Sequence, residues 1–134
     1  MRILVADDED PCRDLLRDLF GTDTTISLTM ARDGAEAWWF LTEPGQAFDL
    51  GIIDFKMPSV DGLKLIERIR ATEQLKRLPV ILCTGINDRE TVTHAVRLGV
   101  TQYVVKPYNP DIMREKIRAF APRSSVIERD LLAS

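Results

Sequence analysis

No stretch of the chain approaches the roughly 18 apolar residues of a membrane-spanning helix. The apolar start ends after Ala6 in Asp7, Asp8, Glu9 and Asp10, which the core of a signal peptide would not tolerate. A cytoplasmic location is therefore expected. Cysteine is nearly missing too. Cys12 and Cys83 have no Cys-x-x-Cys spacing and no partner histidine, so they read as two small buried hydrophobes, neither disulfide nor metal site. The one histidine, His94, falls on an expected helix remote from any acidic cluster and reads as partly exposed, neither a ligand nor a phosphoacceptor. The chain also lacks excess positive charge: its net charge of −3 gives no general attraction to nucleic acid or an anionic membrane. It contains no internal repeat and no low-complexity segment.

What is present suits one globular domain. At 134 residues, 45% of them hydrophobic and 29% charged, the chain can bury a single core. Apolar runs at Ile3–Ala6, Phe48–Ile53, Pro79–Cys83 and Thr101–Val105, with an alternating run at Thr25–Met30, predict five strands. Between and after them lie helical patterns. One is capped by Asp10-Pro11 and carries Cys12, Leu15, Leu16, Leu19 and Phe20 until Gly21. The next opens at Asp33-x-x-Glu36, carries Ala37, Trp38 and Leu41 inward, and stops at Pro44-Gly45. Three more follow: Gly62–Thr72 with Leu65, Ile66 and Ile69 inward; one capped by Asn87-x-x-Glu90 with Val92, Ala95 and Val96 inward; and one capped by Asn109-Pro110 with Met113, Ile117 and Phe120 inward. Five strand–helix alternations predict an α/β fold, a parallel sheet covered on both faces, with a ligand crevice at the carboxyl ends of the strands where the winding reverses.

The strand ends carry the chemistry. Asp7 and Asp8 follow the first strand, Asp54 the third, Thr84 the fourth and Lys106 the fifth, and a parallel sheet brings all of them to one edge. Carboxylates so placed repel by about 4 kcal/mol per pair at 4 Å and an effective dielectric of 20, so they need a cation or protons. An all-oxygen ligand set selects a hard ion, and few carboxylates with vacant positions suit Mg²⁺. With an ammonium and a hydroxyl beside one carboxylate, this is a phosphoryl-transfer site in which the carboxylate can be the nucleophile. Taken singly, Asp7 and Asp8 would be a solvated turn, Lys106 a surface lysine and Thr84 a strand-end hydroxyl. Their convergence carries the functional reading.

Asp7-Asp8, Asp54-x-x-Met57-Pro58-x-x-Asp61-Gly62, Thr84-Gly85 and Lys106-Pro107 resemble the receiver domain of two-component response regulators, with fitting spacings of 30 residues from Asp54 to Thr84 and 22 from Thr84 to Lys106. The resemblance covers about residues 1–121 and leaves 122–134 as a tail or linker. It implies a doubly wound, flavodoxin-like sheet of order 2-1-3-4-5 with five helices, and a phosphoryl group passed to Asp54 from a histidine kinase or histidine phosphotransfer protein. It further implies Mg²⁺ bound by Asp8, Asp54 and the backbone carbonyl of Lys56, with Asp7 acting mainly through water. Lys106 would contact the phosphoryl group, the Lys106-Pro107 bond would be cis, and Thr84 and Tyr103 would form a switch altering the surface of the last two helices. Output would come through a downstream protein partner or a phosphorelay, with a homodimer through the last two helices plausible. The domain would be a signalling phosphoacceptor that assists its own phosphorylation and dephosphorylation, not an enzyme acting on other molecules.

Two rival readings differ in class. A Mg²⁺-dependent aspartyl-phosphate hydrolase commonly has a second acid two residues beyond its nucleophile, where this chain has Lys56. A receiver-like binding module independent of phosphorylation would not need Asp54, Asp8, Thr84 and Lys106 all intact. Gly85 stands where the family often has alanine, and both leave room for a phosphoryl group. An apolar Ile86 near the mouth cannot orient a water, which suggests a longer-lived phosphoryl state. Trp38 and Trp39 point about 100° apart on a helix, so Trp38 fits the inward stripe and Trp39, beside Phe40, is expected at the surface, either as the mark of a partner surface or as a single exposed aromatic without a role. After Phe120, Val126, Ile127, Leu131 and Leu132 fit either a short amphipathic helix or a frayed tail.

Overall fold

The computed structural model describes residues 1–85, 89–100 and 102–120. Five strands, β1 (Arg2–Ala6), β2 (Ser27–Ala31), β3 (Leu50–Asp54), β4 (Val80–Thr84) and β5 (Gln102–Val105), alternate with five helices. These are α1 (Asp10–Phe20), α2 (Gly34–Thr42), α3 (Gly62–Ala71), α4 (Arg89–Arg97) and α5 (Pro110–Arg118). All strand pairs are parallel, in the order β2-β1-β3-β4-β5. The winding reverses beside β1, which opens the crevice between the carboxyl ends of β1 and β3.

The strands sort their side chains with period two. Leu4, Ala6, Ile53, Val80 and Leu82 join the core under α2, α3 and α4, with Ala37, Leu65, Ile66, Ile69 and Ala95. Ile3, Val5, Leu50, Ile52, Ile81 and Cys83 join the core under α1 and α5, with Leu16, Phe20, Met113 and Ile117. β1, β3 and β4 are covered on both sides, so their sequences read as unbroken apolar runs. β2 lies at one edge, as expected, graded from exposed Ser27 to buried Ala31, and β5 at the other leaves Tyr103 and Val105 exposed.

Local details correct four expectations. Glu9, not Asp10, takes the cap position of α1; Asp10 enters the first turn and pairs with Arg13. At α2, Asp33 accepts from Glu36 N as a cap should, but the Glu36 carboxylate answers to Arg32 N instead of Asp33 N. On α4 the buried positions are Thr91 and Ala95, while Val96 is turned to solvent, because the helix meets the sheet one position away from the apolar stripe. Trp38 is only half-buried, with the Arg68 guanidinium over its ring; Trp39 is exposed, as anticipated, edge-on to Phe40. Asn109 caps α5 through Asp111 N and Ile112 N, and Gly99, with φ +78°, follows α4. Asn87, Ile86, Thr101 and residues 121–134 lie outside the described residues.

The loop after β3 is folded tightly against the strand end. Val60 N donates to Pro58 O at 2.8 Å, closing a three-residue turn in which Ser59 has φ +70°. Gly62 N then donates to Phe55 O at 2.8 Å, so the start of α3 presses on the backbone of Asp54. A Cβ at Gly62 would lie 2.3 Å from the Asp54 carbonyl oxygen, whereas one at Gly85 would meet nothing within 4 Å. Gly62→Ala is therefore expected to cost about 1–3 kcal/mol, the usual range for forced overpacking. A thermal melt should show a drop of several degrees for Gly62→Ala and none for Gly85→Ala.

Candidate phosphoacceptor site

Register builds the site. Ala6 pairs with Ile53 and Thr84 with Val105, so the residues that leave the strands do so at one level. Asp7 N donates to Ala31 O, Phe55 N to Cys83 O and Lys106 N to Thr84 O, extending the ladder one step past the strand ends. Asp7, Asp8, Glu9 and Asp54 thereby offer carboxylate oxygens that all lie within 4.8 Å of one another.

Lys106 sits among them. Its Nζ lies 3.1 Å from Asp7 Oδ2, 3.1 Å from Asp54 Oδ2 and 3.3 Å from Glu9 Oε1. Asp7 and Asp54 are buried and Lys106 is nearly so; Asp8 and Glu9 face outward. Burial, and then the neighbouring Asp7 and Asp8, push the Asp54 carboxyl up to about 6 against the pull of Lys106. Burial alone would pull the Lys106 ammonium down, but Asp7 and Asp54 outweigh it and hold Lys106 above its ordinary value. One ammonium thus stands against four carboxylates. The site has room for a further cation.

Three partners of Asp7 escaped the sequence reading. The buried Tyr108 hydroxyl donates to Asp7 Oδ2 at 2.8 Å, and Lys106 Nζ lies 5.7 Å from the same ring. Glu9 N donates to Asp7 Oδ1 at 2.9 Å, and the buried Arg13 donates to the Asp7 carbonyl at 2.6 Å. Burial, with Cys83 and Asp7 beside it, drives the Tyr108 hydroxyl well above its usual value, so it remains a donor. Nothing in the sequence flags these groups, since a tyrosine after Lys106-Pro107 and an arginine among Cys12, Leu15 and Leu16 both read as ordinary. With Tyr108, Lys106 and Glu9 N on its oxygens, Asp7 is well occupied. Direct ligation of an ion would then fall to the exposed Asp8 and to Asp54.

The remaining expected residues lie close by or apart. Lys56 is exposed and lines, with Asp8, Phe55, Met57, Pro58 and Asp61, a crevice of about 400 Å³. Thr84 is buried at the end of β4, and the Lys106-Pro107 bond is cis. Tyr103 points outward from β5, 40% exposed, and is not part of the cluster. His94 lies 3.1 Å from Glu67, away from the cluster. Cys12 and Cys83 are held protonated, the first pushed to about 11 and the second to about 12, in both cases chiefly by burial. A roomier cleft of about 780 Å³ lies elsewhere, between the segments that follow α2 and α3, and contains none of these groups.

Comparison with known proteins points the same way. The family model described as "Response regulator receiver domain" matches residues 3–118. The chemotaxis protein CheY of Pseudomonas aeruginosa is 37% identical over 127 residues, covering 92% of this chain and 98% of that protein. Among solved structures, the receiver domain of the Francisella response regulator 1452 superposes with a TM-score of 0.77 at 27% identity, covering 89% of this chain and 94% of that one. The Mn²⁺-bound form of response regulator Rcp1 gives 0.76 at 26% identity, covering 88% and 89%.

The raised carboxyl sets a stability prediction. A folded value of about 6 against an ordinary 3.8 means that ionising Asp54 opposes folding, so stability is lost as pH rises between those values and stays lost above them. Asp54→Asn should therefore stabilise the metal-free protein at pH 7.5 by roughly 1–3 kcal/mol. Melts in chelator should show the gain shrinking as pH falls through 6 towards 4; a gain that does not depend on pH would contradict the assignment.

Proposed function

The chain belongs to the response regulator receiver domains, and on that premise we propose that it accepts a phosphoryl group on Asp54 and relays the change through a protein-binding surface. The observation that carries this reading is the Asp54 carboxylate, 4% exposed at a strand end and 3.1 Å from Lys106. An Asp54 oxygen attacks the donor phosphorus and the bond from phosphorus to its leaving nitrogen or oxygen breaks. The leaving group departs with the electron pair. Lys106 meets the phosphoryl oxygens with positive charge, and the Thr84 hydroxyl serves as a donor to one of them.

Asp8, Asp54 and the Lys56 carbonyl would hold a divalent cation, with Asp7 acting through water. The all-oxygen donor set within 4.8 Å, without histidine or cysteine, fits Mg²⁺, and a neighbour in fold is Mn²⁺-bound. When bound, such an ion neutralises charge on the transferring phosphoryl oxygens. Tyr103, on β5, and Thr84 would form the switch by resemblance, with residues 1–121 as the receiver and 122–134 as a tail or linker. A histidine kinase or histidine phosphotransfer protein is the donor class, and a protein, not nucleic acid or membrane, the target class. No helix among the described residues is long and apolar enough to cross a membrane. Lys56, exposed where a hydrolase would carry its second acid, weighs against an aspartyl-phosphate hydrolase.

Intact mass after incubation with acetyl phosphate and Mg²⁺ tests the reading. One phosphoryl adduct is expected on the wild type and none on Asp54→Asn, with size-exclusion chromatography reporting any assembly that follows. No adduct, where a known receiver reacts, would favour a binding module independent of phosphorylation.

A further inference from the structure

Glu9 stands at the cap position of α1, where a side chain ordinarily folds back onto the N–H groups of the first turn, yet it makes no such bond. Its carboxylate turns instead to Lys106, with Oε1 3.3 Å from Nζ, while the Cys12 thiol lies 3.7 Å from Oε2. Of the three carboxylates sharing Lys106, Glu9 is the outermost: its side chain is 56% exposed, against 1% for Asp7 and 5% for Asp54. An approaching donor therefore meets it early. It adds negative charge at the entrance and holds part of the only ammonium that Asp54 touches among the described contacts.

Resting on the phosphoacceptor reading above, we infer that Glu9 is a donor-selectivity residue: it disfavours small dianionic phosphodonors relative to donors of lower net negative charge. The repulsion scales with the charge of the donor, so the discrimination is electrostatic and falls with salt. Neutralising Glu9 also releases Lys106 toward the incoming phosphoryl oxygens. Both effects act in the same direction.

Two small donors separate the charges. Acetyl phosphate is a dianion near neutral pH: Asp54 forms the new P–O bond, the bond from phosphorus to the acetyl oxygen breaks, and acetate leaves with the electron pair. Phosphoramidate is a monoanion whose nitrogen is already protonated: the P–N bond breaks and ammonia leaves. Initial rates of phosphoryl-adduct formation would be measured by intact mass for wild type, Glu9→Gln and Glu9→Lys at saturating Mg²⁺, with circular dichroism checking the fold. In Glu9→Gln the rate with acetyl phosphate should rise about three- to tenfold, and that with phosphoramidate by roughly the square root of that factor, because the energy follows donor charge. The difference should widen in Glu9→Lys and narrow in high salt. Wild-type adducts with both donors, but Glu9→Gln rates within twofold of wild type or equally raised, would overturn the selectivity role alone. No wild-type adduct with either donor would overturn it together with the phosphoacceptor reading.

Discussion

The arrangement at the sheet edge depends on one ammonium. Parallel register brings Asp7 and Asp54 to the same level and buries both, and the first loop adds the exposed Asp8 and Glu9, so four carboxylates gather at one point and two of them are shielded from solvent. Without Lys106 each close pair would repel by about 4 kcal/mol at 4 Å and an effective dielectric of 20. Lys106 does not offset both burial and the neighbouring carboxylates: burial first, and Asp7 after it, keep the Asp54 carboxyl raised. That crowding is a cost to the fold and a capacity for a cation: on the proposed function, a bound divalent ion would offset the same carboxylates that oppose folding in the bare protein.

The scaffold supplies stiffness to match. The central strands are buried on both faces, and Gly62 lets the start of α3 lie against the Asp54 carbonyl at a distance no side chain allows. On the other side, Tyr108 and Arg13 hold Asp7 from its carboxylate and its carbonyl. Asp7 is thereby fixed from α1 and from the segment before α5 together, which makes it a structural joint as well as a charge. No buried side-chain nitrogen or oxygen among the described residues lacks a partner, so the polar cluster is embedded without orphaned groups.

Much of this was legible in the sequence because strand ends are abrupt. An apolar run that stops at Asp7, Asp54, Thr84 or Lys106 marks both the element and the position of its last side chain, and parallel alternation then places all four at one edge. The family resemblance added the strand order and the cis bond before Pro107, both present in the structure. What stayed hidden depends on rotamers and on small rotations of helices. Val96 fits an apolar stripe by spacing, but α4 presents Thr91 and Ala95 to the sheet. Glu9 reads as one more acid in a solvated turn, and only the path of its side chain shows that it reaches Lys106, 97 residues away. Tyr108 reads as an ordinary core aromatic, and its hydroxyl acquires meaning only when Asp7 is found beneath it.

Covalent continuity links the charge cluster to the far helix. Lys106 contacts Asp54, Tyr108 contacts Asp7, and Asn109 caps α5, so four consecutive residues run from the carboxylates to a helix start. A phosphoryl group on Asp54 would add charge and acceptor oxygens beside Lys106 and change how its ammonium is shared with Asp7 and Glu9. The segment cannot answer by sliding freely, because Tyr108 is buried and bonded to Asp7 while Met113 and Ile117 anchor α5 in the core. The exposed apolar side chains lie instead at the edge, where Tyr103 and Val105 on β5, Val96 on α4 and Ile112 on α5 stand in solvent. On the proposed function, a charge event at Asp54 would meet a route of buried, bonded residues toward α5 and an exposed apolar edge beside it, the surroundings that a local electrostatic switch would need.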